Sequence, residues 1–376
     1  MKKIAFTTLM LILLTISLSA CQSNWQIELT KGGKTAGQFS YEDFSFYLER
    51  IDEGTGTIPL GQMLYIDGFT LIDEITLIDE EANSSTFVWD EIALSTSLTE
   101  SGKVMVANEE FSPVKINITE SPLVSEIQYA ITDIGPTMAA ALGLPELPQA
   151  SGNVLKEVNA EYGVLILMDG FQFPKMTSLI NSGDLPFLAS IQEHIQQGLT
   201  VYPPVTVAAS AALLTGALPQ VNGVYGHGFR STELTTLFDL AVQEGKTVTA
   251  IEGASLPFNL RNAETTISGD KDGDGYSDDN VMTNSLDIIQ TEMPDLLYIH
   301  FHEIDDMGHS YGPESKEYQE AAVRVDEYLS RIYEALPSGT LLIIFADHGM
   351  HAEENGGNHG NLIASDLIIP IILLKK

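Results

Sequence analysis

Val164-Leu165-Ile166-Leu167-Met168-Asp169-Gly170 decides the fold: five consecutive apolar residues end abruptly in an aspartate and a glycine. A run this short and uniformly apolar, bounded by a turn signal, reads as a strand buried on both faces. The same texture returns at Leu296-Leu297-Tyr298-Ile299-His300, at Leu341-Leu342-Ile343-Ile344-Phe345 and from Leu367 to Leu374. Helical periods lie between these runs. The clearest extends from about Ser315 to Leu336, where Tyr318, Ala321, Ala322, Val325, Tyr328, Leu329, Ile332 and Leu336 recur at three- and four-residue steps. Strands alternating with helices predict an α/β domain with a mostly parallel central sheet covered by helices.

Upstream the pattern changes. Residues 22–121 alternate short apolar runs with Gly, Asp and Ser turns, as in Met63-Leu64-Tyr65-Ile66, Ile75-Thr76-Leu77-Ile78 and Val104-Met105-Val106, and predict a small β-rich domain. That stretch has no histidine and no chemical motif, so no role is assigned to it. Residues 1–21 read as a lipoprotein signal peptide: Lys2 and Lys3 precede an apolar run from Ile4 to Leu18, followed by Ser19-Ala20-Cys21. Cys21 is the only cysteine, which excludes an intramolecular disulfide and makes its thiol the expected lipid acceptor. The expected location is therefore the extracytoplasmic side of the cell membrane, held by a lipid anchor. Residues 122–376 form the expected α/β domain.

With 52 acidic against 18 basic residues, the formal charge of −34 excludes a basic groove for a nucleic acid polymer and recruitment to anionic lipid by charge. A protein this acidic could hold an anionic ligand only with another source of positive charge, which metal ions can supply. In open α/β sheets ligands gather beyond the carboxyl ends of the strands. Asp169 follows the first apolar strand, Asp305 and His309 follow the second, and Asp347 with His348 follows the third. Asp305-x-x-x-His309 puts an oxygen and an imidazole nitrogen one helical turn apart, and Asn358-His359-Gly360 adds a further histidine before the last strand. Mixed carboxylate and imidazole donors suit zinc, with manganese or iron behind it.

These segments resemble the alkaline phosphatase superfamily and, within it, the nucleotide pyrophosphatase/phosphodiesterase family. The matching pieces are VLILMDG at 164–170, TVAASAALLTG at 206–216, Pro219 to Gly223, EIDDMGHSYGP at 303–313, ADHGM at 346–350, and Asn358-His359-Gly360 leading to Pro370. They occur in the family's order over about 210 residues. The resemblance implies one metal held by Asp169, Asp347 and His348, a second held by Asp305, His309 and His359, and Thr206 as the nucleophile. The chemistry is coherent: a divalent metal lowers the pKa of a bound hydroxyl, and a second metal stabilises the opposite oxygen of an in-line displacement. Thr206 also stands where a helix N-cap would stand, before Val207 to Leu214, and a helix N-terminus attracts phosphate.

Three positions depart from the family pattern. Ala209 replaces the asparagine that holds a phosphate oxygen, Asn222-Gly223 replaces a His-Gly, and His227 stands near a usual asparagine. His227 and Ser210 are the candidate replacements as phosphate donors. The stretch also lacks the arginine with which the monoesterase branch clamps a terminal phosphate. Hydrolysis of a phosphodiester or nucleotide pyrophosphate in a small-molecule phosphate ester is thus the expected activity. Phosphomonoesterase or phosphonate hydrolase action, or a catalytically silent surface binding protein, are the alternatives.

Two further motifs remain. Asp270, Asp272, Asp274, Tyr276 and Asp278 fall at alternate positions around Gly275, as in a structural calcium loop, or else form a solvated acidic turn. Ile131-Thr132-Asp133-Ile134-Gly135-Pro136-Thr137 resembles a superfamily piece that usually follows the last histidine motif. Its place ahead of the first strand predicts a circularly permuted catalytic domain beginning near Pro122.

Overall fold

The computed structural model describes residues 25–51, 54–271, 273 and 275–376. Cys21, Asp272 and Asp274 lie outside the described residues. The described residues form two compact units: those up to Asp67 together with Asp73–Thr119, and Gly68–Ile72 together with those from Glu120 to Lys376.

The first unit contains a five-stranded sheet in the order Lys34–Ser40, Gln26–Lys31, Lys115–Glu120, Ile72–Ile78, Ser84–Val88, and a four-stranded sheet from Thr57–Pro59 to Glu109–Phe111. Ile75 to Ile78 and Val104 to Val106 lie in strands, as their alternation predicts. Met63-Leu64-Tyr65-Ile66 does not: it belongs to the helix Leu60–Ile66, in which every residue from Leu60 to Tyr65 is buried. An unbroken apolar run hides its period, so strand and helix look alike there. An amphipathic helix, Tyr41–Ile51, completes this α-plus-β mixture.

The second unit is built on an eight-stranded sheet. Its strands in chain order are β1 (Tyr129–Ala130), β2 (Tyr162–Met168), β3 (Ile195–Leu199), β4 (Val248–Glu252), β5 (Glu264–Ile267), β6 (Leu296–Phe301), β7 (Thr340–Phe345) and β8 (Ile368–Lys375). They lie in the order β1-β3-β8-β7-β2-β6-β4-β5. All neighbours are parallel except β8, which runs antiparallel to both β3 and β7. The sheet is therefore mixed, with a mostly parallel body. That one reversal matters for the site. β7 ends and β8 begins at the same edge, with Phe345 paired to Ile371, so the chain from Ala346 to Leu367 stays at the carboxyl ends of the parallel strands.

The helices that concern the site are α1 (Ile134–Ala141), α2 (Phe173–Ser182), α3 (Thr206–Thr215), α4 (Leu237–Gln243), α5 (Asp278–Thr291), α6 (Glu303–Tyr311) and α7 (Lys316–Ala335). α7 follows the periodicity of its sequence, with Ser315 as its N-cap accepting from the Tyr318 amide at 3.2 Å. α3 is alanine-rich and buried along its whole length, which lets neighbours approach its backbone closely. One neighbour is α1, where a side chain at Gly135 would collide with the Leu213 carbonyl. The Asp133 carboxylate accepts from the amides of Ala130 and Asn153 at 2.8 and 2.7 Å, and Thr137 accepts from the Leu155 amide at 2.9 Å. The 131–137 motif thus ties the sheet's edge strand to the segment leading into β2, and α1 packs on α3, α4 and β7.

Candidate functional site

Loops leaving β2 and β7, the first turns of α3 and α6, and the excursion between β7 and β8 converge at the carboxyl edge of the sheet. Asp169 is the first residue after β2; its amide donates to the Phe301 carbonyl at 2.9 Å, which locks it beside β6. Gly170 follows with a positive φ of 69°, and a Cβ there would lie 2.6 Å from Asp305 Oδ1. Only glycine lets the β2 turn and α6 approach so closely. Asp305 and His309, one turn apart on α6, face the same way, with His309 Nε2 3.3 Å from Asp305 Oδ2. Asp347 and His348 follow β7, and the Gly170 amide donates to Asp347 Oδ1 at 3.2 Å. His359 enters from the excursion that the antiparallel β8 keeps at this edge.

The side chains meet. His348 Nε2 is 3.3 Å from Asp169 Oδ1 and 3.5 Å from Asp347 Oδ2, and one ligand atom from each of the three lies within 4.8 Å of the others. Asp305, His348 and His359 form a second such group. His309 Nε2 adds to it, 3.2 Å from His359 Nε2. The rings of His348 and His359 stack at 3.7 Å. His348 therefore stands between the two sets of donors that the resemblance implies. Thr206 is the first residue of α3, buried, with Oγ1 3.4 Å from His348 Nε2. The N-cap position falls on Val205 and carries no side-chain cap, so the Thr206 hydroxyl is directed to the cluster and does not cap its own helix.

Two observations test whether these residues fit cations. Asp169 Oδ1, Asp305 Oδ1 and Asp347 Oδ2 are buried and have no hydrogen-bond partner among the described residues, a condition that is costly unless a cation or water meets them. In addition, each of the three imidazoles places Nδ1 against a backbone carbonyl: His348 on Gly349 at 2.9 Å, His309 on Gly357 at 3.0 Å and His359 on Pro204 at 2.9 Å. A carbonyl can only accept, so Nδ1 carries a proton and Nε2 is the nitrogen that faces the cluster, where it would offer a lone pair to a cation once its own proton is lost. The set fits two divalent cations. The three aspartates fall one charge short of neutralising them, a surplus that suits an anionic ligand.

Without cations the cluster is electrostatically tense. Burial, and then the Asp169 charge, push Asp347 up to about 7. Burial opposes the protonated form of His348, but the Asp347 and Asp169 carboxylates outweigh it and raise the ring to about 10. His359 is pushed down to about 3 by burial and by His348. The hydrogen bond to Asp305 raises His309 to about 9.

The candidate phosphate donors are placed differently. Ser210 hydrogen bonds with the buried Tyr298, Ala209 is fully buried, and His227 is exposed. Asn222 binds the Ala217 carbonyl and the Val224 amide, which closes its own loop. Of the acidic loop, Asp270 accepts from the amides of Gly273 and Gly275 at 2.7 and 3.0 Å, while Tyr276 stacks under the Arg324 guanidinium. Asp278 is fully buried and accepts from the amides of His302 and Glu303 at 3.0 and 2.9 Å, so both its oxygens are engaged at the start of α6. Three residues with no role in the sequence reading also join the site: Glu252, His300 and His302, buried or nearly so beside Asp169. Glu252 ends an apolar strand at the carboxyl edge, the same signal that singled out Asp169.

The sequence profile of the type I phosphodiesterase / nucleotide pyrophosphatase family matches residues 163–263 and 254–369. Among curated proteins, GPI ethanolamine phosphate transferase 3 of Saccharomyces cerevisiae is 33% identical over 100 residues, 26% of this chain and 10% of the transferase. Venom phosphodiesterase 2 of Crotalus adamanteus is 24% identical over 216 residues, 50% of this chain and 26% of the venom enzyme. The chain thus spans only a small part of the length of these relatives. Among solved structures, phosphonoacetate hydrolase from Sinorhizobium meliloti 1021 superposes with a TM-score of 0.43 at 16% identity, covering 51% of this chain and 57% of the hydrolase. Murine ectonucleotide pyrophosphatase / phosphodiesterase 5 gives a TM-score of 0.42 at 19% identity, covering 50% and 57%.

Proposed function

Because the chain belongs to the type I phosphodiesterase / nucleotide pyrophosphatase family, we propose that it hydrolyses a phosphodiester or pyrophosphate bond with Thr206 as nucleophile and two divalent cations, zinc by preference. The observation that carries this reading is the approach of the buried Thr206 hydroxyl to a cluster of three aspartates and three histidines whose free oxygens and Nε2 atoms face inward. Asp169, Asp347 and His348 would hold one cation, and Asp305, His309 and His359 the other. When bound, such cations would favour the alkoxide of threonine and offset charge on the phosphate oxygens.

The chain's own groups do the rest. Thr206 Oγ1 gives its proton to solvent and forms a bond to phosphorus, and the bond from phosphorus to the leaving-group oxygen breaks on the opposite side, that oxygen taking up a proton from solvent. Water then replaces the threonine oxygen and regenerates the hydroxyl. Thr206, as the first residue of α3, also brings the amides of that helix to the phosphate, where the helix dipole favours negative charge. Arg261 and Arg324 are engaged elsewhere, the first by Asp239 and the second by Glu303. Replacing Thr206 by alanine should abolish turnover of a bis-nitrophenyl phosphate while leaving bound metal intact. A Thr206→Ala enzyme with full activity sinks the assignment.

A second reading is transfer. The match to ethanolamine phosphate transferases favours it, since the same phospho-threonine can be resolved by an alcohol in place of water. Supplying glycerol with a phosphoethanolamine diester separates the two: a transferase yields the glycerol diester, a hydrolase free phosphoethanolamine. We also propose export and anchoring through Cys21, supported by Lys2, Lys3 and the apolar run that follows. No helix among the described residues is long and apolar enough to cross a membrane. Cys21→Ala should release the chain from the membrane fraction; unchanged membrane retention contradicts the anchor.

A further inference from the structure

Adjacent strands β4, β6 and β2 end side by side, and each delivers one polar residue to the same buried row: Glu252 closes β4, His300 lies one residue before the end of β6, and Asp169 follows β2. His300 is completely buried and bridges the two carboxylates, with Nε2 2.9 Å from Asp169 Oδ2 and Nδ1 2.8 Å from Glu252 Oε2. His302 stacks on it at 3.6 Å and places Nε2 3.1 Å from the same Glu252 oxygen. The packing leaves no slack: a Cβ at Gly253 would lie 2.7 Å from His302 Cδ2.

We propose that His300, held from behind by Glu252, is a positioning residue that orients the Asp169 carboxylate for the cation pair. The inference rests on the two-cation reading above. A carboxylate free to rotate offers either oxygen in any direction. Here Oδ2 is tied to His300, and Oδ1 is left without a hydrogen-bond partner on the side of His348 Nε2, 3.3 Å away. Glu252 serves the same purpose one step further back, because an imidazole bonded at both nitrogens can neither rotate nor flip. Partners behind a metal ligand commonly set its affinity by about 10–100-fold. One ligand atom from each of Asp169, His300 and His302 also lies within 4.8 Å of the others, but a third cation there would have to displace the His300 to Asp169 hydrogen bond. The bonded geometry favours the positioning role.

Zinc titration of the full chain against a competing chromophoric chelator tests this, using His300→Leu, His300→Gln and Glu252→Gln alongside the unaltered protein. The unaltered chain is expected to bind two zinc ions. His300→Leu should weaken one of them by about 10–100-fold and leave the other unchanged. His300→Gln, whose amide can still donate to Asp169, should recover part of that loss, as a merely structural role would not require. Melting of the metal-free proteins identifies any variant that fails to fold. Should His300→Leu do so, the test passes to His300→Gln and Glu252→Gln, both expected to show weakened binding at one site. Equal zinc affinity in every folded variant overturns the proposal. So does a third zinc in the unaltered chain that disappears in His300→Leu, since His300 would then be a ligand. An unaltered chain that binds no zinc overturns the two-cation reading along with it.

Discussion

Asp169, Asp347 and His348 are 3%, 1% and 0% exposed, whereas the side chains of Asp305 and His309 are 13% and 41% exposed. The first group sits on turns directly after β2 and β7, neighbouring strands in the middle of the sheet. The second is carried by α6 and by the excursion before β8. One half of the site is thus embedded in the most constrained part of the fold, and the other opens toward solvent at Asp305 and His309, with His359 buried behind them. A buried ligand set whose members cannot move apart retains its cation, while an exposed one admits substrate and exchanges more readily.

The contrast can be broken in graded ways. Thr206 faces both halves through His348, so Thr206→Ala should produce the largest effect. A kcat loss of about 10³–10⁶-fold is expected, with metal content unchanged by elemental analysis; loss of metal together with activity would move Thr206 from chemistry to structure. Asp347→Asn should eliminate the closed-half cation, while His309→Ala should only weaken the open-half one. Stepwise chelation should accordingly strip one cation well before the other. Simultaneous loss of both would erase the distinction.

A sharper prediction follows from charge. Asp347 is pushed up to about 7 by burial and by Asp169, so between its ordinary value and about 7 the folded metal-free chain binds a proton that the unfolded chain does not. The Asp347 contribution to metal-free stability therefore grows as pH falls through about 7, whereas cation binding, which requires the carboxylate, weakens over the same range. Asp347→Asn should remove this dependence and raise the metal-free Tm at pH 8 by about 2–4 °C. Melting curves of both proteins, with and without zinc, check the opposite signs.

The smallest effect is expected at Asp239. It closes a capping box with Thr236 at the start of α4 and accepts from Arg261 Nε at 2.9 Å. Burial works against the charged form there, but the hydrogen bonds from Arg261 and Thr236 hold the carboxyl at about 2. Its contribution is complete above the ordinary carboxylate range and is lost as pH falls toward 2. Arg261→Gln should reduce stability by only about 0.5–1 kcal/mol, since the guanidinium is largely solvated, and should leave zinc binding unaltered.

What was legible in the chain follows from the same contrast. Strands β2, β6 and β7 announce themselves as apolar runs, and Asp169 and Asp347 at their carboxyl ends, with Asp305 in the helix that follows β6, stand where open α/β sheets gather ligands. The helical spacing of Asp305 and His309 is equally local. The direction of β8 is not local, and an apolar strand looks the same running either way. Nor is the meeting of Glu252, His300 and Asp169, which depends on β4, β6 and β2 lying side by side in the sheet although they are far apart in sequence. Met63 to Ile66 shows the complementary failure, where burial on every side removed the period that separates helix from strand. The bonds of Asp278 to the His302 and Glu303 amides at the start of α6 are likewise not local, and its spacing in the acidic loop could not announce them.

Stereochemistry at phosphorus tests the central role of Thr206 most directly. A diester made chiral with sulfur and oxygen isotopes is hydrolysed in labelled water, and the configuration of the product is read by phosphorus NMR. Two successive in-line displacements, first by Thr206 and then by water, require net retention. Net inversion would mean that water attacks the substrate directly and would contradict a threonine nucleophile.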